Sequence, residues 1–413
     1  MKIFNSTLFS FLLILSACSE SSNRIAQWRG ENRDGIYPGK GLLKTWPEKG
    51  PGLLWETDIL GNGYGSPVID NDRLFINGEN DSISYLFAFD LNGNLLWKTP
   101  NGPEFMGEGF SSGFPGARST PTVYKGSVYV SSGLGRIACF DAQSGEERWS
   151  KHMVDDLGGK LNYFGYCESL LAEGSSLFCF PGGKDTNIVC LDRLSGETIW
   201  VSKALSDEVA FTSPTLIELP DQKIFVTLSK NYLLGLDASN GNLIWSFHED
   251  SVKLEGAYTN TPVYENGFIY GVSGVEKGTG AYKLRLSPDG KSIEEVWRNS
   301  RVKNEMGGFI VKDDRLYVTS DDKKLLVLDT ENGQVLDSLR GFRGSLIYAD
   351  HALFCYSDNG NVDRVDLSTG KPNAISRFRI TKGSREHLAH PVIDKGVLYI
   401  RHGNVLQAYR IQD

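Results

Sequence analysis

Methionine is scarce in this chain, at 4 of 413 residues, and no run of Lys and Arg occurs. The formal net charge is −8. A sequence-independent nucleic-acid binder needs a basic stripe, so that class is excluded. Beyond a short leader, no apolar stretch approaches the ~20 residues a membrane-spanning helix needs. No two cysteines are adjacent, and no C-x-x-C-H haem-attachment motif is present. P-loop and dinucleotide-binding glycine fingerprints are also missing. The acidic turns at 321–322 and 357–360 lack the D-x-D-x-D-G order of a calcium loop. Histidines 152, 248, 351, 387, 390 and 402 are scattered. Only His387-x-x-His390 is closely spaced, with Glu386 or Glu168 as a conceivable third ligand. An extended strand turns residues three apart to opposite faces, so no metal site is expected. Glycine, by contrast, supplies 46 residues, aromatics 11% and apolar residues 40%. That composition describes a large all-β unit punctuated by glycine turns.

The N-terminus reads as an address. Lys2 precedes a short apolar segment at 8–15 (LFSFLLIL), which closes with Leu15-Ser16-Ala17-Cys18. The ending resembles the bacterial lipobox, in which cleavage before the Cys leaves it to be lipid-modified. Residues 1–17 are then a lipoprotein signal peptide, Cys18 the lipidated residue, and 18–51 a lipid-anchored tether and lead-in. Five cysteines remain: 139, 167, 179, 190 and 355. An odd number cannot all pair. Cys179 and Cys190 flank a loop at 181–187, and a hairpin centred there sets them opposite each other. Buried free thiols are the expectation, with a cross-strand disulfide as the alternative.

A repeat decides the architecture. Trp55, Trp97, Trp149, Trp200, Trp245 and Trp297 recur at intervals of about 42–52 residues. Most close one pattern, as in FDAQSGEERW (140–149), LDRLSGETIW (191–200) and LDASNGNLIW (236–245). The Asp accepts backbone hydrogen bonds that start a tight turn, and the Gly supplies the positive φ that closes it. LDTENGQVLD (328–337) keeps the frame but carries Asp337 at the Trp position; VDLSTGKPNA (365–374) keeps only the turn. Two further short β-runs precede each turn, which makes four strands per unit, the signature of a β-propeller blade. First strands open at Ser66, Thr120, Ser169, Ser213, Thr261, Gly308, Ser345 and His390. The expected fold is an all-β, eight-bladed propeller of four-stranded antiparallel blades over 52–413. The last blade runs out after three strands, and GLLWETDI (52–59) is expected to complete it.

These D-x-x-x-G-x-x-x-W repeats resemble the Trp-docking motifs of the quinoprotein-like propellers. That group includes the pyrroloquinoline quinone (PQQ) alcohol dehydrogenases and the BamB-like lipoproteins of outer-membrane assembly. The lead-in QWRGENRDGIYPGKGLLKTWPEKGPGLLW (27–55), FPGGKDTN (180–187) and HPVIDKGVLYIR (390–401) resemble uncharacterised envelope PQQ-repeat proteins. The resemblance implies that the six repeat indoles wedge between neighbouring blades. In the resembling dehydrogenases the quinone lies between a channel-floor indole and a disulfide of adjacent cysteines, beside a Ca²⁺ ion. This chain has no such pair, and its two other tryptophans, Trp28 and Trp46, belong to the lead-in. No cofactor is therefore expected, PQQ included.

Residues just before the inner strands crowd one face: Arg118, Glu168, Thr212, Asn260, Glu305, Arg343 and His387, with His390 opening the last blade. The long connections 98–118, 150–168 and 273–281 reach the same face. Loops on a rigid scaffold are where function usually sits, so these residues are the candidate binding ring; the alternative is that they cap strand ends around a wet channel. Glu168 and Glu305 would be an acid–base pair if the propeller acted on carbohydrate. The expected role is a non-catalytic, monomeric scaffold anchored to the membrane in the outer membrane, periplasm or cell surface, binding an envelope protein or peptide segment. A quinoprotein oxidoreductase with a degenerate site is the first alternative, a carbohydrate-active or -binding propeller the second.

Cys18→Ser should abolish lipidation and release the protein from membranes. Metabolic labelling with a fatty-acid analogue checks this, and it fails if neither the native nor the substituted protein is marked.

Overall fold

The structure, a computed structural model, describes residues 25–248, 259–274 and 280–412. Cys18 and its apolar leader lie outside these. Thirty-two strands among the described residues form eight four-stranded antiparallel sheets, and the only helical turn is a 3-10 segment at Gly109–Gly113. Blade 2 is representative, with strands Thr122–Tyr124, Ser127–Ser131, Arg136–Asp141 and Glu147–His152 running from the axis outwards. Its first turn places Lys125 and Gly126 both at positive φ (49° and 75°), matching the twist of a tight hairpin. Ser127–Ser131 is buried throughout because neighbouring blades cover both of its faces. The outermost strand meets water, and each of its residues is exposed or half-buried.

Blades 1 to 7 occupy 68–103, 122–152, 171–202, 215–248, 263–299, 309–340 and 344–379. Blade 8 takes Val392–Asp394, Val397–His402 and Val405–Arg410 from the C-terminal end, and Gly52–Thr57 as its outer strand. Trp55 lies opposite Ala408 and Glu56 opposite Gln407. The ring is thus closed by the expected strand, which brings blade 8 to the four strands of the others.

Blade interlock follows from the repeat. Each turn glycine sits in the left-handed region, with φ of 85° at Gly93 and 77° at Gly241. A Cβ on Gly241 would meet the Trp200 ring at 2.5 Å, so the bare glycine is the floor on which the previous blade's indole lies. Gly93 receives Trp55, Gly145 receives Trp97, Gly196 receives Trp149 and Gly333 receives Trp297 in the same way. Indole N–H groups donate across the junctions, Trp149 to the Arg193 carbonyl (3.0 Å), Trp200 to Ala238 (3.1 Å) and Trp245 to Gly290 (3.1 Å). At Asp337 the pattern breaks: the facing Gly370 of blade 7 has open space above it. In blade 7 the strand register puts Ser376, opposite Arg364, where the other blades carry the indole. The junction from blade 7 to 8 is filled by Trp46 of the lead-in, which lies edge-on to Phe378 (4.9 Å) while its backbone N–H reaches Ser376.

The lead-in is part of the propeller. Ala26 exchanges two backbone hydrogen bonds with Val123 of blade 2, and residues 35–37 pair with Tyr348 of blade 7. Between these contacts the chain forms a hairpin inside the channel. Trp28 Nε1 donates to Thr261 Oγ1 of blade 5 (3.1 Å), and Arg29 donates to the Phe309 carbonyl of blade 6. The fully buried Arg33 reaches the carbonyls of Ser169 (2.9 Å), Leu170 and Pro214 (3.0 Å), tying blade 3 to blade 4. Gly308 makes room for this packing, because a Cβ there would fall 1.4 Å from Arg29 Nη1. Sequence reasoning placed 18–51 outside the propeller as tether and lead-in; residues 25–51 are instead packed against it.

The cysteines at 139, 167, 179, 190 and 355 are free. The hairpin register differs by one residue from the expectation: Cys190 faces Phe178, and Cys179 faces Val189.

Trp200→Ala or Trp245→Ala should destabilise the protein by roughly 3–5 kcal/mol in denaturant titration, since each removes a buried indole. Asp337→Trp should raise the melting temperature by filling the space over Gly370; an unchanged or lower value would mean that the slot does not accept an indole.

Candidate functional site

The inner strands begin on a belt of hydroxyls that bind the next blade. The His390 N–H donates to Ser66 Oγ (3.1 Å), Ser66 N–H to Thr120 Oγ1 (3.0 Å), Thr120 N–H to Ser169 Oγ (2.9 Å) and Ser169 N–H to Ser213 Oγ (3.0 Å). Asn260 does the same between blades 5 and 6, its Oδ1 accepting from Gly308 N–H (2.9 Å) and its amide donating to Val272 and Asn304. These bonds join blade 8 to 1, 1 to 2, 2 to 3, 3 to 4 and 5 to 6, so the groups that make them are engaged in holding neighbouring blades together.

Above this belt a cavity of about 410 Å³ opens on the loop-rich face. Trp28 and His390 lie in its wall edge to face, 4.5 Å between ring centroids. Phe110, Phe114, Phe164 and Phe211 line one side, with Phe164 central to the cluster, 5.6 Å from Phe211 and 6.3–6.4 Å from Phe114 and Phe110. Phe110 is 71% exposed and Tyr163 beside Phe164 is 57% exposed, so an aromatic crest stands above the mouth. The loop carrying Phe105–Phe114 is pinned by Glu104, whose buried carboxylate accepts from Phe105 N–H (2.9 Å) and Gly133 N–H. Burial pushes that carboxyl above its ordinary range.

Of the residues singled out from sequence, Arg118, Glu305 and His390 line the cavity. Arg118 is half-buried, donates to the carbonyls of Phe114 and Gly116, and lies over the Phe105 ring at 5.2 Å. Glu305 belongs to blade 6, diametrically opposite blade 2. Burial and then neighbouring Asp321 push its carboxyl up, against a smaller opposing pull from Arg343. His390 is fully buried; desolvation, and then the Arg29 charge, hold its imidazole neutral, and its Nδ1 has no hydrogen-bond partner.

The other five lie elsewhere. Glu168 is buried, accepts from Phe180 N–H (2.7 Å) and feels the Arg33 charge. Desolvation raises its pKa from 4.5 to about 7, partly offset by that hydrogen bond and by Arg33. Thr212 and Asn260 are buried in the belt. Arg343 pairs with Asp358 (3.2 Å) at the rim. His387 is bonded to the Tyr356 hydroxyl (2.5 Å), stacked on His402 at 3.6 Å, and pushed down to about 4, chiefly by burial. His387 and His390 therefore face different surroundings, and among the described residues no three His, Cys, Asp or Glu side chains gather as metal ligands.

Sequence reasoning missed two features. It counted no indole for the channel, whereas the hairpin carries Trp28 into the cavity wall. It also passed over Gly109-Phe110-Ser111-Ser112-Gly113, which spells G-x-S-x-G. That segment is a 3-10 turn between loops, not a strand-to-helix elbow, and Ser111 Oγ bonds the Glu108 backbone (2.9 and 3.0 Å).

A plugged eight-bladed propeller with an aromatic-walled mouth is the class these features define. The family pattern described as outer membrane protein assembly factor BamB matches residues 84–336 and 285–373, and the chain belongs to that family. Its curated relatives carry several activities in their names. The tetrathionate hydrolase of Acidithiobacillus ferrooxidans is 20% identical over 56% of this chain and 50% of its own length. The quinone-dependent 1-butanol dehydrogenase of Thauera butanivorans is 24% identical over 48% and 25%, and BamB of Bordetella pertussis 24% over 46% and 52%. The chain thus spans about half the length of these relatives or less. The crystal structure of BamB from Moraxella catarrhalis superposes with a TM-score of 0.61 at 15% identity, over 87% of this chain and 97% of that one, which establishes the shared fold.

Glu168 generates a pH signature. Its carboxyl binds protons more tightly folded than unfolded, so stability should be highest below the unfolded pKa and fall as pH rises from about 4.5 through about 7. Denaturant midpoints across that window should decline more steeply for the native protein than for Glu168→Gln; parallel curves would refute the assignment.

Proposed function

We propose that the protein is a lipid-anchored, non-catalytic propeller of the bacterial cell envelope that holds a segment of a partner protein against the mouth of its channel. The observation that carries this reading is the exposed aromatic crest above the cavity, an apolar surface on a rigid scaffold of the kind that marks interaction sites. The name of the Bordetella relative, an outer-membrane assembly factor, supports the same reading. Geometry adds an orientation. Ile25 lines a pocket with Ile69, Ile393 and Asp394, at the end of the channel away from the mouth. Cys18 is seven residues ahead of it, at most about 25 Å along the chain. An anchor there tethers the opposite face and leaves the mouth turned away from the bilayer.

The quinoprotein reading has the butanol dehydrogenase name in its favour. PQQ is a flat tricarboxylate, which asks for two stacking walls and concentrated positive charge. The cavity offers one indole, Trp28, held edge-on to His390, one guanidinium, Arg118, and a lone thiol, Cys167. These residues do not fit the quinone, and we assign no cofactor.

A photo-cross-linking amino acid at Phe110 should yield envelope-protein adducts in cells, whereas the same group at Asp350 on the opposite face should not. Charge reversal at Arg118 and Arg343 together should weaken capture with the melting temperature retained. Dye-linked alcohol oxidation after reconstitution with PQQ and Ca²⁺ would overturn the scaffold reading.

A further inference from the structure

The charged groups at the mouth divide into two kinds. Arg343 is paired with Asp358, Glu386 accepts from the Tyr64 hydroxyl (2.9 Å), and Glu168 is buried beside Arg33. Arg118 and Glu305 differ. Both line the cavity, both are half-buried, and among the described residues neither joins a salt bridge. Arg118 enters blade 2 and Glu305 enters blade 6, four blades apart in a ring of eight, so a cation and a carboxyl face each other across an apolar pocket.

An occupant complementary to this arrangement has three parts in a row: an anionic group, a large apolar group and a cationic group. Arg118 is held by the Phe114 and Gly116 carbonyls but among the described residues has no carboxylate counter-ion, and Glu305 has no cationic one. A half-buried charge lacking a counter-ion is the kind that selects by complementarity, since the wrong sign opposite it costs more than the right sign gains. An extended peptide supplies the row directly. Side chains at i−2, i and i+2 of a strand point to one side, and the flanking pair spans ~13 Å of backbone, from ~3.3 Å per residue. A cavity of about 410 Å³ exceeds any single side chain, leaving room for an indole or phenyl ring between Trp28 and the phenylalanine wall. The exposed Phe110 and Tyr163 then cover the backbone of the segment rather than its anchor.

We infer that the mouth recognises an extended peptide segment bearing a large apolar side chain flanked at two residues' distance by an acid and a base, the apolar group in the cavity, the acid against Arg118 and the base against Glu305. This rests on the protein-binding reading above and specifies its ligand.

The test uses the full chain and three labelled peptides in fluorescence polarisation: acetyl-Glu-Gly-Trp-Gly-Lys-amide, and forms with Glu or Lys at both flanks. The mixed-charge peptide should bind about tenfold more tightly than either like-charge form. Arg118→Glu should transfer preference to the Lys/Lys peptide, and Glu305→Lys to the Glu/Glu peptide. Replacing the central Trp by Ala should abolish binding in every case. Glu305 makes no side-chain hydrogen bond to the described residues, so Glu305→Lys keeps the test open if Arg118→Glu disturbs its loop; a thermal melt on each variant checks this. Equal binding of all three peptides would overturn the charge register, and retained binding of the Ala peptide would overturn the cavity as anchor. No binding of any peptide, or equal binding of free tryptophan, would overturn the inference. Cross-linking from Phe110 judges the broader scaffold reading separately, because it asks only whether any protein lies at the mouth.

Discussion

Eight twisted sheets set around an axis leave a bore that no blade can fill, and the architecture depends on how that bore is closed. Here it is closed by the chain's own lead-in. Arg29 and Arg33 enter an interior with unpaired strand carbonyls and bond to them directly, Arg33 to three at once. Burial pulls their pKa values down to about 10 and about 9, still high enough for both to stay charged at neutral pH. A guanidinium suits this place because its planar fork reaches several acceptors on different blades. The hairpin also carries Trp28 to the mouth, so the part that stops the channel is the part that walls the cavity.

Around the rim, cohesion is local and uneven. Five turn glycines receive the preceding blade's indole, whereas Asp337 leaves the space above Gly370 open and Trp46 comes from outside the repeat to fill the junction between blades 7 and 8. The N-terminal segment thus does three separate jobs in one ring: it plugs the bore, packs the last junction and supplies the outer strand of blade 8. Closure by both chain ends makes these contacts interdependent, because loosening the lead-in would open the bore and the blade 7–8 junction together.

The mouth combines rigidity below with exposed apolar surface above. Hydroxyls and amides that look like a binding ring in one dimension are consumed in joining blades, which makes the platform stiff. What remains free to meet a partner is the loop layer: the phenylalanine crest, Arg118 and Glu305. Glu168 and His387, by contrast, are committed, the first to the Phe180 N–H beside Arg33 and the second to Tyr356 and His402.

Much of this protein is legible from local pattern. The Asp–Gly turn, the indole period and the paired strands before each turn are encoded within about ten residues of one another, so blade number, strand order and the closing strand at 52–57 follow without coordinates. The face on which Arg118, Glu305 and His390 meet also follows, because strand direction alone puts their positions on one side. Tertiary structure decided the rest. Nothing local in Arg29 or Arg33 says that each is buried against strands more than a hundred residues away, so the lead-in reads as a tether. Neither does spacing separate Asn260 and Thr212, turned into the belt, from Glu305, turned to the cavity; that depends on which neighbouring blade offers a partner. Periodicity specifies a unit and its repeat, but the use of each polar group is settled only when the eighth blade meets the first and the bore between them is filled.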